Sequence, residues 1–204
     1  MEIDFRGANS VVIKSKSGII ITDPTNGIKI KEINNNDTIT LVTQDDFIPK
    51  DANFVINMPG EYEHNGVSII GIPTQRHIDP EGKKGVAYRI TIDGIRIAIL
   101  GHISSLISDD DIENLGTIDI LILPVGGGGY TLDAKDAASV VQQIGPKVVI
   151  PTHYKNEKIE YEVPQEPLEL FNKEIGLNVE KLDSLKIKNN TLPEVLTVYE
   201  LKQK

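Results

Sequence analysis

Two nearly continuous apolar runs, residues 118–125 and 148–151, leave little choice of local structure. Short runs that are apolar on both faces fit central strands with helices packed over at least one side. Between them, Asp133 and Asp136 mark a helix start, and Ala137, Val140, Val141 and Ile144 recur at helical spacing. A second helix follows Ser108 and Asp111 as far as about Leu115, and a third is expected over residues 165–175 with Gly176 as its C-terminal cap. The first half of the chain reads differently. Short β-type runs at 10–14, 19–22, 38–42, 54–56, 67–72, 86–92 and 96–100 are separated by turn residues, with Asp93-Gly94 as a two-residue hairpin signal. Many antiparallel strands early and a β–α–β–α alternation late predict an α+β fold in which sheets lie between helices. The segments 11–23 and 88–102 echo one another as hairpins, and the tail is expected to end in an edge strand near 195–201.

Three of the four histidines follow such apolar runs: His77, His102 and His153. Strands of one core that end at a common rim bring together whatever follows them. Imidazole is the commonest metal ligand and a proton shuttle near neutral pH, so three at one rim point to metal binding or acid–base chemistry. His64, within Gly60-Glu61-Tyr62-Glu63-His64-Asn65-Gly66, reads as part of a solvated polar hairpin turn.

At 204 residues the chain fits one domain, residues 1–204, able to bury a substantial core. There is no cysteine, which restricts any metal site to His, Asp and Glu. The net charge of −9 argues against sequence-independent binding to nucleic acid. No run is long and apolar enough for a membrane span, and no basic-then-apolar leader opens the chain, so a soluble cytoplasmic protein is expected. Gly126–Gly129 lacks the Lys-Ser/Thr of a phosphate loop and reads as a turn, while Asp109-Asp110-Asp111 reads as a helix start. No Gly-x-Ser-x-Gly context supports serine catalysis.

Four segments in order carry a family resemblance: Ile19-Ile20-Ile21-Thr22-Asp23-Pro24, Ile72-Pro73-Thr74-Gln75-Arg76-His77, Ile97-Ala98-Ile99-Leu100-Gly101-His102, and residues 118–127 running on to Ile150-Pro151-Thr152-His153-Tyr154. Together they resemble the metallo-β-lactamase superfamily, especially the small branch that includes the ascorbate-6-phosphate lactonases. The resemblance implies a four-layer αββα sandwich with a one- or two-zinc site on loops at one edge between the sheets. The family's His-x-His-x-Asp-His signature aligns with Gln44-Asp45-Asp46-Phe47-Ile48-Pro49, so its histidines and aspartate are replaced. The early histidine often found after Gly is absent at Gly7-Ala8-Asn9, and His102 stands where the family carries a bridging aspartate. His77 and His153 match later family ligands.

The resemblance thus implies a metal-dependent hydrolase relative with a depleted site, acting on a small ester, lactone or phosphodiester. On that reading His77, His102 and His153 hold one zinc or manganese ion, and Asp46 or Asp45 orients the attacking water. The competing expectation is a site without metal, in a catalytically inactive binding or assembly module. The final apolar strand could pair with a second copy if its edge were uncovered.

Overall fold

The structure, a computed structural model, describes residues 1–24, 30–76, 84–104 and 108–204. The chain opens with β1 (Glu2–Gly7), β2 (Ser10–Ser15), β3 (Gly18–Thr22), β4 (Thr38–Leu41) and β5 (Val55–Ile56). There follow β6 (Gly60–His64), β7 (Val67–Gln75), β8 (Lys84–Ile92), β9 (Ile95–Ile99), α1 (Asp109–Leu115), β10 (Ile120–Pro124), α2 (Ala134–Ile144) and β11 (Val148–Thr152). The last elements are α3 (Leu168–Ile175), β12 (Val179–Leu182), β13 (Leu185–Lys186) and β14 (Thr197–Leu201).

Among the described residues the strands form two sheets, one in the order β13-β1-β2-β3-β4-β5 and the other β12-β14-β11-β10-β9-β8-β7-β6. The hairpin echo in the sequence has a structural counterpart. β2 and β3 are antiparallel and hand on to the parallel strands β4 and β5, just as β8 and β9 are antiparallel and hand on to the parallel β10 and β11. The early strands are therefore not uniformly antiparallel. Parallel pairing needs a crossover between strands, and the long connection from β3 to β4 provides one. In both halves, chain segments leave the C-terminal ends of parallel strands at one rim.

The inner faces of the two sheets share one core, in which Ile13, Ile20, Ile39 and Leu41 meet Ile69, Tyr88, Ile90, Ile97 and Ile122. Each such aliphatic side chain contributes roughly 1.5–3 kcal/mol by leaving water. A second core lies between the larger sheet and the helices, where Leu115, Ala137, Val141, Leu168 and Phe171 cover Ala98, Leu121, Leu123 and Val149. β10 and β11 are buried at every residue because both of their faces are covered. On the outer face of the smaller sheet, Ile30 and Ile33 pack on Val12 and Ile21 around a 3-10 turn, Lys31–Asn34.

Helix starts follow the sequence signals. Ser108 and Asp111 form a reciprocal capping box, and the Asp133 side chain accepts from Asp136 N. Two expectations are corrected. α3 begins at Leu168, because Pro167 sets extended backbone at its N-cap and Gln165 is drawn into a side-chain network instead. The tail strand β14 is not an edge strand. It is inserted between β11 and β12, so β12 forms the edge, and the expectation that β14 might pair with a second copy loses its basis. His64 lies on strand β6, beside the Asn65-Gly66 turn, and stacks on Phe54 at 5.3 Å.

Candidate functional site

At the rim, Leu100-Gly101-His102 follows β9 and His153 follows Thr152, the last residue of β11. Both imidazoles are buried, and their Nε2 atoms approach to 3.1 Å, with the rings near perpendicular at 82°. Two of the three histidines singled out from the sequence therefore meet, across 51 residues of chain. His77 lies outside the described residues.

Among the described residues five non-glycine residues have positive φ. Asn65 and Asp93 sit in two-residue hairpin turns before Gly66 and Gly94, where that conformation is ordinary. The other three, Ala8, Asp23 and His153, all lie at this rim. Left-handed backbone costs roughly 1–2 kcal/mol at a residue with a Cβ and persists only where surroundings enforce it. For His153 the enforcing contact is its own N–H, which donates to Ala8 O at 2.8 Å.

The outer nitrogens of the pair are held by amides. Asn9 Nδ2 lies 3.2 Å from His102 Nδ1, and Asn9 Oδ1 accepts from Thr152 Oγ1 at 3.0 Å. Gln165 Oε1 lies 3.0 Å from His153 Nδ1, and Gln165 Nε2 donates to Val163 O at 2.8 Å. Burial pushes the His153 imidazole down to about 4, so the ring is neutral at physiological pH. Around the pair stand three half-buried rings: Phe47 at 5.3 Å from His102, Tyr130 at 4.9 Å from His102, and Tyr161 at 5.0 Å from His153. They exclude bulk water from the imidazoles.

The loop after β4 borders the same place through Phe47. Asp23, fully buried after β3, accepts from Thr43 N and from Thr43 Oγ1, both at 2.7 Å, and so fixes where that loop departs. Burial pushes the Asp23 carboxyl up to about 7 against the pull of those two bonds. Gln44, expected from the sequence to stand where the first signature histidine would be, is 4% exposed, and its amide finds no hydrogen-bond partner among the described residues. Asp45 and Asp46 occupy the exposed 3-10 turn Asp45–Phe47. Asp45 Oδ1 accepts from Asn57 Nδ2 at 3.0 Å, and Asp46 Oδ2 pairs with Arg76 at 3.1 Å.

Catalytic zinc takes about three protein ligands. Among the described residues no three His, Asp or Glu side chains gather as a metal-holding group. The donor set that does converge is the two imidazoles. Tetrahedral ligation with Zn–N of about 2.0–2.1 Å spaces two nitrogens about 3.3–3.4 Å apart, close to the 3.1 Å here. An outer nitrogen bonded to an amide is also the usual way a ligating imidazole is oriented. The pair fits a single cation as two of its ligands, and does not fit a two-metal centre.

Sequence reasoning missed Asn9, Thr152, Gln165 and the aromatic rings. No local pattern marks them, since Asn9 and His102 are 93 residues apart. Asp23 was visible only as the end of a strand motif.

Residues 2–153 match the family described as Beta-lactamase superfamily domain. A UPF0173 metal-dependent hydrolase of Thermococcus onnurineus is 34% identical over 101 residues, 47% of this chain and 44% of that protein. The chain thus aligns with less than half the length of that curated relative. Among solved structures, a chain from Thermotoga maritima, provisionally described as a Zn-dependent hydrolase of the metallo-β-lactamase superfamily, superposes with a TM-score of 0.77 at 25% identity. That match covers 98% of this chain and 99% of the other. A metallo hydrolase from Ignicoccus hospitalis shares the fold at a TM-score of 0.62 and 18% identity, over 86% of this chain and 90% of its own.

Proposed function

Because this chain belongs to the metallo-β-lactamase superfamily, we propose that it is a metal-dependent hydrolase relative with a depleted centre, holding one divalent ion and acting on a small ester, lactone or phosphodiester. The observation that carries this reading is the pair of facing Nε2 atoms with amide-anchored outer nitrogens. The description of its relatives as metal-dependent hydrolases supports it.

His102 and His153 would hold the ion, with His77 as the third ligand expected from the sequence. A bound zinc or manganese ion acts as a Lewis acid that polarises a carbonyl or phosphoryl oxygen and lowers the pKa of water. The chain supplies the rest. Asn9 and Gln165 fix the orientation of the two rings, and Phe47, Tyr130 and Tyr161 keep bulk water away. Asp45 or Asp46, on the turn that carries Phe47, would orient the attacking water.

A second reading, an inactive binding or assembly module, draws on a different observation: the stretch expected to align with the family's histidine signature carries Gln44, Asp45 and Asp46 instead. Elemental analysis after zinc or manganese loading separates the readings. About one equivalent, lost in His153→Ala, is expected for the hydrolase. Less than about a tenth of an equivalent sinks it in favour of the binding module, since functional metal sites bind tightly.

A further inference from the structure

The segment after β14 crosses from the larger sheet to the smaller. Lys202 N donates to Leu182 O at 2.9 Å within the larger sheet, and Lys204 N donates to Phe5 O on β1 at 3.0 Å. Gln203 stands between them, half-buried, and uses both ends of its amide. Its Nε2 donates to Arg6 O at 2.9 Å, and its Oε1 accepts from Asn156 Nδ2 at 2.7 Å. Gly7 makes room for it. At φ +121°, a conformation that disfavours a Cβ, this glycine lets Gln203 Nε2 and Ile159 Cδ1 into the space that a Cβ would need. One side chain thus ties β1 to the base of the loop 154–166.

That loop holds His153. Its neck is closed by Lys155 N, which donates to Glu166 O at 2.8 Å, and by Glu166 N, which donates to Gly126 O at 2.7 Å. From it come Tyr161, whose ring lies 5.0 Å from that of His153, and Gln165, whose Oε1 lies 3.0 Å from His153 Nδ1. The turn after β1 reaches the same residue through Ala8 O, which accepts from His153 N at 2.8 Å. Gln203 therefore joins the two segments that fix the backbone and the ring of His153. Beside this tie lies a cavity of about 420 Å³, lined by Tyr154, Asn156 and Gln203 together with Leu182 and Lys202. On that side hydrogen bonds, and not packed side chains, carry the base of the loop.

We propose that Gln203 is a positioning residue for the rim: by holding Asn156 against Arg6 O it sets the loop whose Gln165 and Tyr161 orient and cover His153. Its value to a hydrolase rests on the proposed function, whereas the placing of the ring is read without turnover.

Hydrogen exchange and NMR of Gln203→Met test this, since Met keeps the length of the side chain and removes both bonds. The amides of Lys155 and Glu166 are expected to exchange at least about fivefold faster than in the parent, with the His153 ring signals displaced. Lys204→Met is the control on the same segment. It cuts the 2.6 Å ion pair with buried Asp4 and lowers stability, but is expected to leave the neck amides and the His153 signals as in the parent. A smaller acceleration in Gln203→Met, unmoved His153 signals, or equal changes in Lys204→Met overturn the assignment. Gln203→Glu keeps the bond from Asn156 and loses the one to Arg6 O. It is expected to act in the same direction, and it decides by the same limits if Gln203→Met does not fold. Zinc titration separates this role from the proposed function. A parent that binds zinc should bind it at least about threefold more tightly than Gln203→Met, and equal affinity overturns the assignment. A parent that takes up no zinc removes the metal-dependent reading, while exchange and ring signals still decide the role of Gln203.

Discussion

Replacing Asp23 with Asn tests the electrostatics of the rim through the pH dependence of stability. Folding raises the Asp23 pKa from 3.8 to about 7, chiefly by burial. A carboxyl whose native pKa lies above its unfolded value favours folding when protonated. Its contribution is complete below about pH 3.8 and is lost as pH rises through about 7. Roughly three pKa units at 1.36 kcal/mol each amount to about 4 kcal/mol. His153 works in the opposite sense. Its pKa falls from 6.5 to about 4 on folding, so its contribution is complete above pH 6.5 and is lost as pH falls toward 4, by about 3 kcal/mol. Across that interval the two trends oppose and largely cancel in the parent.

Asn at position 23 tolerates the positive φ, accepts from Thr43 N through Oδ1 and donates to Thr43 Oγ1 through Nδ2. It keeps the geometry and removes the titration. The difference in unfolding free energy between Asp23→Asn and the parent should therefore change by about 3–4 kcal/mol between about pH 4 and pH 7.5, the variant gaining as pH rises. Urea unfolding of both proteins across that range measures it, and the comparison cancels every other titrating group. A change of less than about 1 kcal/mol refutes the burial argument, since it means the native carboxylate is solvated or paired.

Tyr88 is fully buried, and its hydroxyl lies 2.8 Å from both Val42 O and Ile56 O, joining β8 of one sheet to the end of β4 and to β5 of the other. Tyr88→Phe should cost about 1–3 kcal/mol, because Ile56 O keeps its bond from Val42 N while Val42 O is left short of a donor. A thermal scan should show a drop of about 2–4 °C per kcal/mol, and no drop would count against the cross-sheet bond. Gly101 has φ +60°, and a Cβ there would overlap the Thr43 side chain, whereas Gly129, φ +73°, has open space around it. Gly129→Ala should cost only the conformational strain of about 1–2 kcal/mol, and Gly101→Ala clearly more, with the His102 resonances displaced. Equal costs would contradict the packing of Thr43 against the β9 rim.

The strands that build the core were legible because burial on one or both faces leaves a period in the sequence, as in 86–92 and 118–125. The meeting of His102 and His153 followed from reading both as residues just beyond strand ends. Partnership between strands left no such trace. The parallel pairing of β3 with β4 and the insertion of β14 between β11 and β12 depend on crossovers that no local pattern encodes. The strands β6 and β13 are short or exposed on one side, with polar residues typical of loops. Asn9 and Gln165 escaped notice for a further reason. Amides are common in turns, and only the third dimension shows which of them faces a buried imidazole.

Asp23 and Thr43 anchor the loop after β4 through a backbone N–H and a hydroxyl, without help from the side chains at 44 and 46. The departure of that loop is consequently fixed by atoms other than those it presents. An exchange of side chain at either position removes neither of those two anchoring bonds. Selection on catalysis and selection on foldability act here on separate sets of atoms.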